Sequence, residues 1–353
     1  MTVARVENPP NPWQTTHVEW LGEPPPAALE VFVDHTREIL SRNDSPDIPF
    51  TFSVNPYRGC MHACAYCYAR PTHEYLGFGA GTDFDRRIVI KPEAPRLLTV
   101  AFDHRSWTGE LVVFSGNTDC YQPVEASYRL TRACLEVCRT YRNPVAIITK
   151  SPLVERDIDV LRALAAHGAA TVTVSVPFAN PDHARAVEPC VPPPARRIEA
   201  IRRLAEAGIP VGVNVAPIIP GLNDAELVEV LERAHAAGAR HAGMVMLRLP
   251  GPVAEVFERR IRAALPPSRA ERILRRVEEV RGGRRNDPRF GTRMCGEGEY
   301  ADVVSALFTS TCRRLGLVAR TVGASMGPSP FRRPPPERGQ LDLFGATDPP
   351  GAG

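Results

Sequence analysis

Short apolar runs and amphipathic stretches take turns along most of this chain. The runs at Phe50–Val54, Leu111–Phe114, Val145–Thr149, Thr171–Val176, Val211–Pro217 and Ala242–Leu247 are rich in β-branched residues and read as strands. Between the later runs, apolar residues recur at helical spacing, which predicts helices over Ser127–Tyr141, Asp157–His167, Pro194–Ala207 and Asp224–Ala237. One further helix is expected over Ala27–Leu40 and one or two over 255–281. The alternation repeats about every 30 residues, the signature of βαβ units and a parallel sheet. The strands are continuously apolar rather than alternating, as expected when both faces of a sheet are covered. Six strands joined by right-handed crossovers follow. Periodicity alone fits a doubly wound open sheet and a partial barrel equally well.

Outside this rhythm the chain changes character. Its first 45 residues begin Pro-rich and form an N-terminal extension. A core domain covers 46–290 and a helical segment 291–324. From 325 to 353 the sequence is rich in Pro, Gly and Arg, a composition that predicts disorder.

Composition narrows the function classes. Apolar residues make up 43% of the 353, enough for a substantial core. No run of about 18 apolar residues is present, so no membrane span is expected. The start of the chain lacks a basic-then-apolar leader pattern, so a cytoplasmic location is expected. Thiols stay reduced there, and nine cysteines then point to metal or catalytic use rather than a disulfide framework. The net charge of +3 says little about partners, but the bases are lopsided: Lys91 and Lys150 are the only lysines, beside 41 arginines. With so many Ala, Pro and Gly, this is the mark of a GC-rich coding bias. Arginine clusters lose weight as evidence for nucleic acid, and a lysine that survives the bias gains it.

Three cysteines fall within eight residues in "NPYRGCMHACAYCYAR": Cys60, Cys64 and Cys67. Thiolates are the usual ligands of iron–sulfur clusters, and a four-iron cluster normally takes four. Three would leave one iron open to a substrate or cofactor. Zinc held by the three thiols with His62 or His73 is the competing arrangement. The remaining cysteines are scattered; Cys134 and Cys138 share a helical face and read as packing residues.

The motif Cys60-x3-Cys64-x-Tyr66-Cys67 resembles the cluster-binding motif of radical S-adenosylmethionine (SAM) enzymes, including the aromatic residue before the last cysteine. The wider string "DIPFTFSVNPYRGC…ACAYCYARPTHEYLG…DFDRRIVIK" resembles the bacterial radical SAM proteins related to spore photoproduct lyase. The likeness covers roughly 30 to 310, and Ala63 stands where many relatives have glycine, a small steric change. It implies an α/β fold built on a partial (β/α)6 TIM-type barrel, the radical SAM core. It also implies a [4Fe–4S] cluster whose open iron chelates SAM, and reductive cleavage of SAM to a radical that takes hydrogen from a substrate.

The resemblance further implies site residues at the C-terminal ends of the strands. The turn "SGNTDCYQPVE" corresponds to the region that binds the methionine amino group, although the family's Gly-Gly-Glu is absent. Thr118 and Asp119 are the candidates there, since a hydroxyl or carboxylate accepts from an ammonium. Lys150, at the end of the next strand, suits the SAM carboxylate. Ser175 suits the ribose or that carboxylate, Ile218 and Ile219 suit the adenine, Asn214 faces the lumen, and Tyr66 packs near the cofactor. Arg248 is placed to meet an anionic substrate, a role balanced against a surface salt bridge. Cys120 is the candidate for returning a hydrogen atom to a product radical, balanced against a packing thiol.

Two further features bear on partners. The pentapeptide Gln340–Phe344 ("QLDLF") is similar to the motif by which bacterial polymerases and repair proteins bind the DNA sliding clamp. The stretch from Arg259 to Arg293 holds 12 arginines, which could track a phosphate backbone but is interspersed with glutamates. The expected activity is radical chemistry on a substrate of the DNA-lesion class, with flavodoxin or ferredoxin as electron donor. Modification of RNA or a peptide, and a non-catalytic iron–sulfur protein recruited to replication sites, are the alternatives.

Overall fold

The computed structural model describes residues 8–9, 11–13, 28–319 and 327–335. Its strands are β1 (Glu30–Val33), β2 (Leu40–Arg42), β3 (Phe52–Val54), β4 (Tyr57–Arg58), β5 (Arg87–Ile90), β6 (Val112–Phe114), β7 (Val145–Thr149), β8 (Ala170–Ser175), β9 (Val211–Ile218), β10 (His241–Met246) and β11 (Val318–Ala319). Eight form one sheet in the order β11-β10-β9-β8-β7-β6-β3-β2. All neighbours from β3 to β10 are parallel; β2 adds an antiparallel edge and β11 a short parallel one. β1, β5 and β4 make a separate small sheet.

That strand order settles what periodicity left open. Each crossover steps to the next strand in the same direction and the order never reverses. Right-handed crossovers that always step one way place every helix on one face. A doubly wound sheet needs a reversal. The sheet therefore curls into a partial barrel with helices outside, and β3, β6, β7, β8, β9 and β10 are its six strands.

Alternation along the strands divides the two faces. Val172 and Val174 of β8 and Val211, Val213 and Val215 of β9 are buried with Leu161, Leu164, Ile201, Leu204 and Leu231 of the surrounding helices. Each such side chain contributes about 1.5–3 kcal/mol by leaving water. The intervening Ser175, Asn214 and Ala216 open on the lumen. Its lower end is filled by His241, whose Nε2 lies 3.1 Å from Thr173 Oγ1. Only glycine fits at 212, where a Cβ would stand 2.2 Å from the His241 ring.

The helices expected between the strands form as Leu130–Tyr141, Ile158–Ala165, Pro194–Glu206 and Leu227–Ala236, and the 255–281 region holds Val253–Ala264 and Pro267–Glu279. The helix expected over Ala27–Leu40 does not form. Part of that stretch is β1, paired in parallel with β5, and Leu40 opens β2. Its apolar spacing is compatible with a helix, but β5, more than 50 residues downstream of β1, and β3 beyond β2 decide otherwise.

Of the tail, residues 327–335 lie across the floor of the barrel. Phe331 stacks on Tyr141 and meets Phe102 edge-on. Arg333 donates to the carbonyls of Phe102, His104 and Trp107, and Ser329 Oγ to Gly109 O at 2.6 Å. Residues 336–353, with the 340–344 motif, fall outside the described residues. No helix among the described residues is long and apolar enough to cross a membrane.

Candidate active site in the barrel lumen

A cavity of about 490 Å³ opens at the C-terminal ends of the strands. Cys60, Cys64 and Cys67 all line it, with Tyr66 and Tyr68 from the same loop. Opposite them stand Thr118 and Asp119 after β6, Lys150 after β7, Ser175 at the end of β8, Asn214 on β9 and Arg248 after β10. The structure thus brings ten of the expected site residues (the three cysteines, Tyr66, Thr118, Asp119, Lys150, Ser175, Asn214 and Arg248) to one space.

The cysteine loop is held by its own backbone and by buried arms. Cys60 N donates to Phe84 O at 2.9 Å and Ala65 N to Val187 O at 2.9 Å. Arg70, almost fully buried, donates twice to Cys64 O, to Ala80 O and Gly81 O, and to Asp85 Oδ1 at 2.9 Å. Gln122 clasps the loop from the β6 side, donating to Gly59 O and accepting from Met61 N. Gly59 has φ +76 and a Cβ there would approach Phe84 O to 2.9 Å. Ala63 also has a left-handed backbone, φ +55, so its departure from the family's glycine is a matter of backbone strain, about 1–2 kcal/mol, rather than of side-chain bulk.

The chemistry of the three donors fits a cluster. Burial pushes all three thiols above the ordinary cysteine range. They reach the thiolate form only beside a strong positive charge, which bound iron supplies. Among the described residues no three His, Cys, Asp or Glu side chains are arranged to hold a single metal ion. The two histidines proposed for zinc are engaged elsewhere: His62 Nδ1 lies 3.4 Å from Asp119 Oδ2, and His73 Nε2 donates to Arg87 O at 2.8 Å.

Asp119 is a knot rather than a free acceptor. Its oxygens accept from Thr149 Oγ1 (2.7 Å), Tyr121 N (2.9 Å) and Lys150 N (2.7 Å), with His62 alongside. Those four groups fill the acceptor positions of a carboxylate. Burial alone would raise its pKa, but His62, the Lys150 amide and Thr149 hold it below the usual carboxylate range. Thr118 Oγ1 donates to Tyr57 O at 2.9 Å and accepts from Asn55 Nδ2 at 2.6 Å. Lys150 differs from both. Its ammonium lies 5.7 Å from the Tyr66 ring centroid and pairs with no carboxylate among the described residues. Tyr66 is fixed in turn: its hydroxyl donates to Glu188, which accepts from Arg197 NH2 at 2.5 Å, while Arg197 NH1 donates to Ser175 O. This buried set ties the cysteine loop to the end of β8.

Two expectations are corrected. Cys120 is fully buried in the main core and does not line the cavity, so a hydrogen-donor role is not supported by its place. Its backbone turns the thiol inward, with Cys120 N donating to Ser115 Oγ and Cys120 O accepting from Thr131. Ile218 and Ile219 are also fully buried and do not line the lumen. Between Met244–Val215 and Met246–Ile218 the β10–β9 register slips by one residue, a bulge that re-aims the side chains beyond it. Ala216 and Pro217 take that wall instead.

His73 supplies a pH signature for the cysteine-loop housing. Burial lowers its pKa to about 4 from 6.5. The unfolded chain binds the proton more readily, so the His73 contribution is complete above pH 6.5 and is lost as pH falls from there towards 4. The His73 share of that loss is about 2 kcal/mol at pH 5 relative to pH 7, and buried Asp85, pushed up to about 6, gains over the same interval and offsets part of it. Urea unfolding at both pH values checks this: between pH 7 and pH 5 the parent should lose about 2 kcal/mol more than His73→Gln, which can still donate to Arg87 O, and an equal change in both proteins contradicts it.

Residues 54–234 match the model of the Radical SAM superfamily, and the chain belongs to that superfamily. Its members use a [4Fe–4S] cluster and SAM. Among curated relatives, "Uncharacterized protein Rv2578c" of Mycobacterium tuberculosis is 38% identical over 206 residues, 58% of this chain and 61% of the relative. "Uncharacterized protein MJ0683" of Methanocaldococcus jannaschii is 30% identical over 177 residues, 50% of this chain and 64% of the relative. The chain thus spans less than two thirds of the length of either. A spore photoproduct lyase variant with bound AdoMet and dinucleoside spore photoproduct shares the fold at TM-score 0.59 and 17% identity, over 83% of this chain and 82% of that one.

Sequence reasoning missed Arg70, Gln122, Tyr68 and the Glu188–Arg197 pair. Arg70 and Tyr68 lay inside the quoted cysteine stretch, but nothing in their residue types set them apart. Gln122 lay in the quoted "SGNTDCYQPVE" turn.

Proposed function

We propose that this chain is a radical SAM enzyme acting on damaged nucleic acid, with a lyase-type outcome. Cys60, Cys64 and Cys67 would hold the cluster. Together with SAM it would supply radical hydrogen-abstraction chemistry. The residues of the chain bind, orient and exclude water. Lys150 offers its unpaired ammonium to the SAM carboxylate, Asp119 fixes the backbone from which Lys150 extends, and Ser175 and Asn214 supply hydrogen bonds along the lumen. The observation that carries this reading is the convergence of three cysteine thiols, two of them buried, and an unpaired lysine on one cavity at the strand ends. The dinucleoside photoproduct named in the solved lyase supports a two-nucleotide lesion as the substrate class.

The test is anaerobic reconstitution of the full chain with iron, sulfide, dithionite and SAM. 5′-Deoxyadenosine should form, and deuterium from a labelled lesion should appear in it. No 5′-deoxyadenosine under any condition sinks the catalytic reading; label from a peptide or RNA but not from DNA replaces the substrate. A cytoplasmic setting with flavodoxin or ferredoxin as reductant belongs to the same proposal. So does sliding-clamp binding through Gln340–Phe344, which truncation after Gly339 should abolish in a clamp titration; unchanged binding refutes it.

A further inference from the structure

Beside the cavity-lining residues Asp47 and Met294 lies a feature that the proposed chemistry leaves unused. Phe290 is 60% exposed, yet its ring is backed by the Arg293 guanidinium 4.3 Å from the centroid. Arg293 is itself locked: Nε donates to Asp47 Oδ2 at 2.5 Å and NH2 to Ser45 Oγ. Gly291 N donates to Asp47 Oδ1 at 2.8 Å, which pins the adjoining backbone to the same carboxylate. An aromatic ring presented to solvent on a rigid cationic backing is a stacking surface with little ordering entropy left to lose.

Beside it stands Arg248. Its Nε is buried and makes no hydrogen bond, and its NH1 meets only Met294 Sδ at 3.6 Å. No carboxylate among the described residues pairs with it. Asp47, Arg248 and Met294 line the cavity, and Arg293 and Phe290 adjoin that lining through Asp47, which accepts from Arg293 Nε and Gly291 N. The 284–297 loop carries four arginines against two acids, Asp287 and Glu297, and both acids are bonded to Arg289. Asp47, whose charge reaches Arg248, spends its oxygens on Arg293 and Gly291, so the Arg248 guanidinium keeps donors without a carboxylate partner among the described residues.

We propose that Phe290, Arg293 and Arg248, a rim beside the cavity, grip a single-stranded nucleic-acid segment flanking the reacting nucleotide, with a base stacked on Phe290 and a phosphate on Arg248. This rests on the nucleic-acid reading of the site. A stacked base and an anionic backbone are what an exposed ring and an unpaired guanidinium recognise together, and the combination tolerates any sequence. Arg248 is here a binding residue, not a catalytic one.

The test is fluorescence anisotropy of a labelled oligo-dT of about ten nucleotides against the reconstituted full chain. Phe290→Ala should weaken binding by about 5- to 100-fold, and Phe290→Tyr should restore it. Tyr128→Ala, an exposed aromatic away from the rim, should bind as the parent does. Arg248→Gln should lower the slope of log K against log salt by about one. Phe290→Ala binding within twofold of the parent, or an unchanged salt slope in Arg248→Gln, overturns the proposal. So does a labelled acidic decapeptide that binds in a Phe290-dependent way while the oligonucleotide does not. 5′-Deoxyadenosine formation by the parent chain is measured in parallel. Its absence condemns the catalytic reading while the anisotropy still decides the rim, and its presence with no oligonucleotide binding condemns the rim alone.

Discussion

Chains carrying Cys64→Ala should emerge from anaerobic reconstitution with less than one iron each, where the native chain holds about four. Three features make the expected loss this complete. Cys60 and Cys64 are almost fully buried, so no water or exposed side chain is at hand to replace a missing thiolate. Burial also pushes the thiols up, so two of them alone compete poorly with protons for iron. The loop is pinned by Arg70 and by backbone bonds to Phe84 and Val187, which hold it back from closing around a smaller ligand set. Iron assay and the visible charge-transfer absorption measure the outcome, and 5′-deoxyadenosine should fall to background. Cys134→Ala, a core thiol on the helix Leu130–Tyr141, should keep its iron. Full loading of the Cys64→Ala chain would remove that residue from the ligand set.

Arg70→Met is expected to cost about 3–5 kcal/mol of folding stability. The substitution conserves bulk but leaves Asp85 buried without its partner and strips donors from the carbonyls of Cys64, Ala80 and Gly81. Burial already pushes the Asp85 carboxyl up to about 6 with Arg70 beside it. Without the guanidinium it should rise further and be protonated at neutral pH. Urea unfolding should show the loss, and iron retention should fall although all three thiols remain. Arg70→Met with Asp85→Leu should recover a large part of the stability, because the stranded buried carboxyl is gone. Recovery of stability without recovery of iron would show that the Cys64 carbonyl bond matters to the loop beyond its contribution to folding. A single Arg70→Met chain as stable as the parent contradicts the argument.

The barrel was legible because its signal is local. Val145–Thr149 coincides with β7, and the other long apolar runs fall on strands within a residue or two of their ends. The helix expected over 27–40 failed because β1 is made by a distant partner, β5, which no window of neighbours contains. At the site, residue type and strand-end position placed Lys150 and Ser175 on the cavity. Side-chain direction was beyond reach. A one-residue bulge turned Ile218 out of the lumen, and a tight turn carried the Cys120 thiol into the core although Asp119 beside it faces the cavity. Arg70 looks like any of 41 arginines in the sequence, yet its five hydrogen bonds join the cysteine loop to the 80–85 segment.

The strap at 327–335 gives the molecule two working ends. It binds at Gly109 and Tyr141, just before β6 and β7 begin, whereas the cavity opens where those strands finish. Whatever is joined to the chain beyond Pro335 therefore starts its path from the side turned away from substrate. A label or bead coupled directly after Pro335 should therefore be tethered to the back of the barrel, opposite the mouth of the cavity.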